Sequence, residues 1–182
     1  ERKLELEIPA PRVLLALAEE AGARLVSIEG GSKHNAIPRE AFAVVAVPKS
    51  LAKKAQKLVA KWQSVVREEL GPVEPDLQVS AAEAAGELPQ VLKRRSQKQV
   101  LQTISALPHG VLKMSAAIPG LVETSTNVAV LTTEGDTVSL VTSQRSSVAS
   151  EKGEIAQTVR TILDLAGDTV PQGEGSLSSK AS

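Results

Sequence analysis

Three side chains of this 182-residue chain have the chemistry to hold a small polar ligand: Asn35, Asn127 and Arg145. Asn35 lies in the polar loop Lys33-His34-Asn35-Ala36-Ile37-Pro38-Arg39-Glu40-Ala41, between apolar runs at 24–30 and 41–47. A carboxamide both donates and accepts, so Asn35 can hold a peptide group, although Asn in a loop also serves simply to form a turn. Arg145 follows an apolar run and stands just before the Ser-rich stretch 146–150. A guanidinium there can grip a carboxylate through two parallel hydrogen bonds, or it is an ordinary surface Arg at a strand end. Asn127 falls within a strand pattern, where Asn is disfavoured. It faces a ligand or begins the strand.

Other chemistries find little support. The two imidazoles, His34 and His109, are 75 residues apart, and each reads as an exposed loop residue. A zinc or two-metal hydrolase site needs His and carboxylates gathered around open coordination positions, and no such spacing is present. There is no cysteine, hence no thiolate ligand, thiol nucleophile or disulfide. No Gly-x-Ser-x-Gly elbow occurs, and Gly30-Gly31-Ser32-Lys33 is too short for a phosphate-binding loop. The expectation is a chain with no catalytic and no metal-ligating residue of its own, and no cofactor.

Net charge is +0, from 21 basic and 21 acidic residues, so no global field draws nucleic acid or an anionic membrane. The cluster Lys93, Arg94, Arg95, Lys98 has no aromatic neighbours for base stacking and reads as a solvated helix face. No apolar run reaches membrane-spanning length, and the cysteine-free composition suits the cytoplasm. Aromatics make up 1%, with one Phe42, one Trp62 and no Tyr. The core is therefore built from small aliphatics through many modest contacts. The opening at Glu1, without Met and inside a strand pattern, reads as a piece of a larger protein.

The elements that position these residues follow from periodicity. Residues 2–8 alternate as a half-buried strand. Val13, Leu14, Leu17, Ala18 and Ala21 share one helical face, with Gly22 as the stop. Residues 24–29 read as a strand, and 41–47 as a strand buried on both faces or nearly so. Three- and four-residue apolar steps predict a helix over 50–70, ended by Gly71-Pro72. A short strand is expected at 77–80, an ambiguous stretch at 81–90, and a helix at 91–107. A strand at 111–115 is followed by two β runs, 121–133 and 136–143, joined as a hairpin at Glu134-Gly135-Asp136. Ser150 is the expected cap of a last helix, 151–166, ending at Gly167. This order predicts an α+β fold: a two-layer sandwich, an antiparallel sheet with helices on one face, with a ferredoxin-like core and an inserted helical segment. Residues 1–167 form the domain, and the Gly- and Ser-rich 168–182 a flexible linker or tail.

Four stretches, in order, carry a resemblance: Asn-Ala-Ile-Pro-Arg-Glu-Ala at 35–41, Leu107-Pro108-x-Gly110-Val111, Val122-Glu123-Thr124-Ser125-x-Asn127-Val128 and Gln144-Arg145-Ser146-Ser147. Together they resemble the lid, or dimerisation, domain of aminoacyl-histidine dipeptidases, which are zinc-dependent, carnosinase-like metallopeptidases. The resemblance is densest over 30–48 and 107–167. It implies a parent enzyme that hydrolyses Xaa-His-type dipeptides with zinc held in a separate catalytic domain. That domain of the same protein, the dipeptide and a homodimer partner are the implied partners, with no nucleic acid and no membrane. Asn35 would contact the peptide and Arg145 the substrate's C-terminal carboxylate. One departure stands out. The family carries Gly-Gly-His-Ser-Gly after the first strand, with a His that stabilises the oxyanion, whereas here Ile8 runs into Pro9-Ala10-Pro11. Neither His34 nor His109 matches that position. The alternative is a free-standing ferredoxin-like ligand-binding or regulatory module.

Overall fold

The computed structural model describes residues 1–8, 11–31, 41–87, 90–135 and 137–167, and the backbone of 172–173 and 176–181. The chain divides into two compact units. The first is built from the described residues of Glu1–Gly30 and Arg39–Leu101, the second from those of Gln102–Ser182.

The first unit runs β1 (Arg2–Ile8), α1 (Pro11–Ala21), β2 (Arg24–Gly30), β3 (Ala41–Val47), a 3₁₀ turn at Lys49–Leu51, α2 (Ala52–Leu70) and β4 (Ser80–Ala84). Its strands pair antiparallel in the order β4-β1-β3-β2. Alternation in β1 sends Leu4, Leu6 and Ile8 inward and leaves Glu5 exposed on the other face. Register sets Ala43, Val45 and Val47 of β3 beside Leu6, Leu4 and Arg2 respectively, so the inner face continues across the strands. In β2 the apolar pair Leu25 and Ile28 is three apart, which strict alternation would split between faces. A register shift between Leu25 and Ser27 absorbs the extra residue, and both stay buried opposite Val45 and Ala43. Val13, Leu14, Leu17 and Ala21 of α1 and Ala55, Leu58, Val59 and Val66 of α2 are buried. Full burial of each large aliphatic is worth about 1.5–3 kcal/mol. Gly22, at φ 62, takes the left-handed turn between α1 and β2.

The ferredoxin-like core is complete within residues 2–84. The helical segment therefore follows that core instead of interrupting it, because the Ala-rich 80–84 pairs along β1 from Lys3↔Ala84 to Glu7↔Ser80. Its composition (Ser-Ala-Ala-Glu-Ala) carries no β signal, so the strand is made by its partner. β3 is buried on both faces only toward its end, at Val45, Ala46 and Val47, whereas Phe42 is 49% exposed, on the face shared with Glu7 and Glu29. Among the described residues, Trp62 lies against Arg12, whose guanidinium carbon is 5.2 Å from the ring centroid. The same guanidinium pairs with Glu69, so α1 is clipped to α2, and this hydrogen bond holds the Glu69 carboxyl below its ordinary pKa.

α3 (Arg94–Ala106) is shorter than the expected 91–107. Arg94, Arg95 and Lys98 of the helix, and Lys93 just before it, are solvent-exposed. Its buried Gln97 bonds β2: the Leu25 N–H donates to Oε1 at 2.9 Å, and Nε2 donates to the Ala23 carbonyl at 2.9 Å. Leu92 N–H donates to the Leu25 carbonyl, and Arg24 Nη2 donates to the Leu92 carbonyl. Backbone groups of β2 that would otherwise be buried unpaired are satisfied in this way.

The second unit holds β5 (Gly110–Met114), β6 (Val122–Glu134), β7 (Thr137–Ser146) and α4 (Ala149–Ala166), with β8 (Gln172–Gly173) and β9 (Ser176–Ala181). Pairing is antiparallel throughout, β5 with β6, β6 with β7, β7 with β9, and β9 with β8. The β6–β7 hairpin falls where composition placed it, with Gly135 at φ 61 in its turn. Residues 168–182, expected as a linker or tail, lie partly outside the described residues. The helix α4 begins earlier than expected: Val148 is its N-cap residue, so Ser150 lies in the first turn. It ends at Gly167 in the left-handed conformation, whose N–H reaches the Asp164 carbonyl at 2.9 Å. α4 packs on β7 and β6, burying Ile155, Val159 and Leu163.

Candidate functional site

Asn127 and Arg145 stand on neighbouring strands of the second unit. Ser125 faces Arg145 across the β6–β7 ladder and Asn127 faces Ser143. Cross-strand partners share a face, and so do alternate residues, so Ser125, Asn127, Ser143 and Arg145 form one outward row. Asn127 and Arg145 are diagonal neighbours, with a spacing typically of about 7–8 Å, which a long side chain and one small ligand can span. Arg145 is exposed and Asn127 half-buried. The opposite face carries Thr124, Thr126 and Thr142, all buried, with Gln144 and Ser146. Asn35 and His34 lie outside the described residues.

A polar network holds the strand end that carries Arg145. Thr124 Oγ1 donates to Glu151 Oε2 at 2.6 Å, in the first turn of α4. Ser146 Oγ is 2.9 Å from Thr124 Oγ1 and accepts from the Val148 N–H at 3.1 Å. Since the Thr124 hydrogen is committed to the carboxylate, Ser146 donates to Thr124. The Ser147 N–H donates to the Glu123 carbonyl at 3.1 Å. Lys113 of β5 pairs with Glu151 and lies 2.9 Å from Glu123 Oε1. The hydrogen bonds from Lys113 and Thr124 hold Glu151 below its ordinary pKa, and those carboxylates push Lys113 upward. An acidic side chain in the first helical turn is also favoured by the helix dipole.

His109 is exposed, as expected of a loop imidazole, yet it is tied in place: the Val128 N–H donates to its Nδ1 at 3.4 Å. That bond needs an unprotonated Nδ1, and partial burial lowers the His109 pKa in the same sense. No group of three or more His, Cys, Asp or Glu among the described residues is placed to hold a metal ion. The residues described do not fit a zinc site. No helix among them is long and apolar enough to cross a membrane.

The network was missed from sequence because its members are scattered over 113–151 and meet only through register. The single usable hint was the Thr- and Ser-rich character of 124–126 and 146–147, beside an acidic residue at the start of the last helix.

The fold and the comparisons with known proteins agree on the class. Residues 10–74 match the family described as peptidase dimerisation domain. That match covers about a third of the chain, and a likeness to dipeptidases extends over most of it. The chain is similar to the cytosol non-specific dipeptidase of Escherichia coli (strain K12), with 33% identity over 156 residues, which is 86% of this chain and 32% of that protein. It is also similar to the crystal structure of aminoacylhistidine dipeptidase from Vibrio alginolyticus. There the TM-score is 0.83 and the identity 31%, over 91% of this chain and 38% of the other. The chain thus spans about a third of the length of these relatives.

Proposed function

We propose that this chain is the lid of a zinc-dependent dipeptidase that hydrolyses Xaa-His-type dipeptides, and that it supplies substrate contacts and no metal ligand. Arg145 reads the C-terminal carboxylate of the dipeptide, while Asn127 and Asn35 hold its peptide group. The catalytic domain of the same protein carries the zinc and activates the water. A homodimer contact and a cytoplasmic location belong to the same reading. The observation that carries it is the outward row of Ser125, Asn127, Ser143 and Arg145 on the β6–β7 ladder. A guanidinium beside a carboxamide matches a carboxylate next to a peptide bond. Likeness to an aminoacylhistidine dipeptidase over 91% of the chain supports the substrate class.

The test compares the isolated 182-residue chain with the full-length parent. The parent should hold zinc and cleave Xaa-His dipeptides, whereas the chain alone should do neither by elemental analysis and hydrolysis assay. One tightly bound zinc in the isolated chain, lost on His109→Ala, would sink this division of labour.

A further inference from the structure

Beyond direct substrate contact, the second unit contains a directed run of hydrogen bonds that passes through Ser146, the neighbour of Arg145. The Val148 N–H donates to Ser146 Oγ, Ser146 donates to Thr124 Oγ1, and Thr124 donates to the Glu151 carboxylate, which Lys113 also holds. Each hydroxyl gives one hydrogen and receives one. The order has a fixed direction because only the carboxylate end lacks a hydrogen. On the other side of the same corner, the Ser147 N–H is held by the Glu123 carbonyl. The segment 145–148 is therefore pinned at Ser146, Ser147 and Val148 while Arg145 points to the opposite face.

We infer that Thr124, Ser146 and Glu151 are positioning residues, which fix the end of β7 so that Arg145 is presented in one orientation to a substrate carboxylate. This rests on the reading of Arg145 as the carboxylate grip. Two features favour positioning over plain anchoring of α4. Thr124 is 5% exposed, so its hydroxyl is costly to bury without partners. A leucine or valine there would seal the sheet more simply, as it does at Leu131, Val138 and Leu140 of the same two strands. A bidentate contact also tolerates little misplacement, since an error of about 1 Å can cost on the order of 100-fold in rate.

The experiment uses the full-length parent with a free dipeptide and its C-terminal amide, in the wild type and in Thr124→Val, Thr124→Ser, Ser146→Ala and Arg145→Ala. Thr124→Val should lower kcat/KM on the free dipeptide by about 10-fold, and on the amide by much less. Thr124→Ser keeps the hydroxyl and should restore the preference for the free acid. Thr124→Val added to Arg145→Ala should change that preference no further. Amide exchange at 145–148 should speed up in Thr124→Val and return to wild-type rates in Thr124→Ser. If Thr124→Val does not fold, Ser146→Ala breaks the same run at a half-buried position and takes its place. Equal losses on both substrates, or no rescue by Ser, would overturn the positioning role. If Arg145→Ala leaves the preference intact, it is the carboxylate reading that fails. If Arg145→Ala abolishes the preference and neither Thr124→Val nor Ser146→Ala alters it, the positioning inference alone fails.

Discussion

The two units cover their strands differently. In the first, the buried residues of the inner face of β1, β2 and β3 are all aliphatic: Leu4, Leu6, Ile8, Leu25, Ile28, Ala43, Val45 and Val47. In the second, β6 and β7 are aliphatic only toward their shared hairpin, at Ala129, Leu131, Val138 and Leu140. Toward Arg145 the same face turns to Thr124, Thr126 and Thr142. Apolar area stabilises without direction, whereas a buried hydroxyl is tolerated only where partners are aimed at it. The polar end thus gives up some stability for a defined geometry, and that end carries the candidate ligand row. Both strands at issue, β2 and β6, use a register shift to keep their inner residues inward, at Leu25/Ser27 and at Val128/Val130.

The largest expected effect is in the aliphatic face. Leu17→Ala should destabilise the chain by about 2–5 kcal/mol in denaturant melts, because Leu17 is fully buried and its cavity is lined by packed neighbours. A loss well under 1 kcal/mol would mean that this face is not the tightly packed one. Next comes Gln97→Leu, which leaves the Leu25 N–H and the Ala23 carbonyl without their partner. At about 1–3 kcal/mol for each group the gross loss is roughly 2–6 kcal/mol, which the added apolar burial of the leucine reduces, with faster amide exchange at Leu25.

The polar face makes a finer distinction. Thr142 is 1% exposed and its Oγ1 has no hydrogen-bond partner among the described residues, so Thr142→Val should be neutral or stabilising by up to about 1 kcal/mol. Thr124→Val should instead destabilise, since it breaks the bonds to Glu151 and Ser146. Equal responses of the two sites in chemical denaturation would erase the distinction between a bonded and an orphan hydroxyl.

The smallest effect is the pH dependence. Glu151 has a folded pKa below its ordinary value of 4.5, through Lys113 first and Thr124 second. The unfolded chain therefore binds this proton first as pH falls. The stabilising contribution is present above about pH 4.5 and is lost as pH drops through the lower folded value. Acid titration of unfolding should show this slope in the wild type and lose part of it in Glu151→Gln. The pair is solvent-screened, so the change should be small and should shrink in salt.

Most of the fold was legible in the sequence, and the reasons are physical. The helices at α1, α2 and α4 carry apolar residues at three- and four-residue steps, and β1 alternates strictly, so local pattern and tertiary burial agree. β4 was misplaced because Ser80–Ala84 has no strand propensity and is recruited by the edge of β1. β3 was expected to be buried on both faces or nearly so because its run is apolar throughout, but Phe42 points to the face of Glu7 and Glu29. Asn127 and Arg145 were visible as residue types. Their shared face depends on the β6–β7 register, which no local pattern encodes. The Thr124–Ser146–Glu151 run was illegible for the same reason.

The central claim is that Arg145 reads a substrate carboxylate while the chemistry happens elsewhere. It is tested most directly by Arg145→Ala in the full-length parent, assayed on a free dipeptide and on its C-terminal amide. Loss of a charge-assisted contact that leaves the substrate carboxylate unpaired should cost about 2–4 kcal/mol of transition-state stabilisation on the free dipeptide, or roughly 30- to 1000-fold in kcat/KM. The amide should be nearly unaffected, and the melting temperature nearly unchanged, because Arg145 is exposed. An equal loss on both substrates would contradict the account and leave Arg145 as a structural residue at the end of β7.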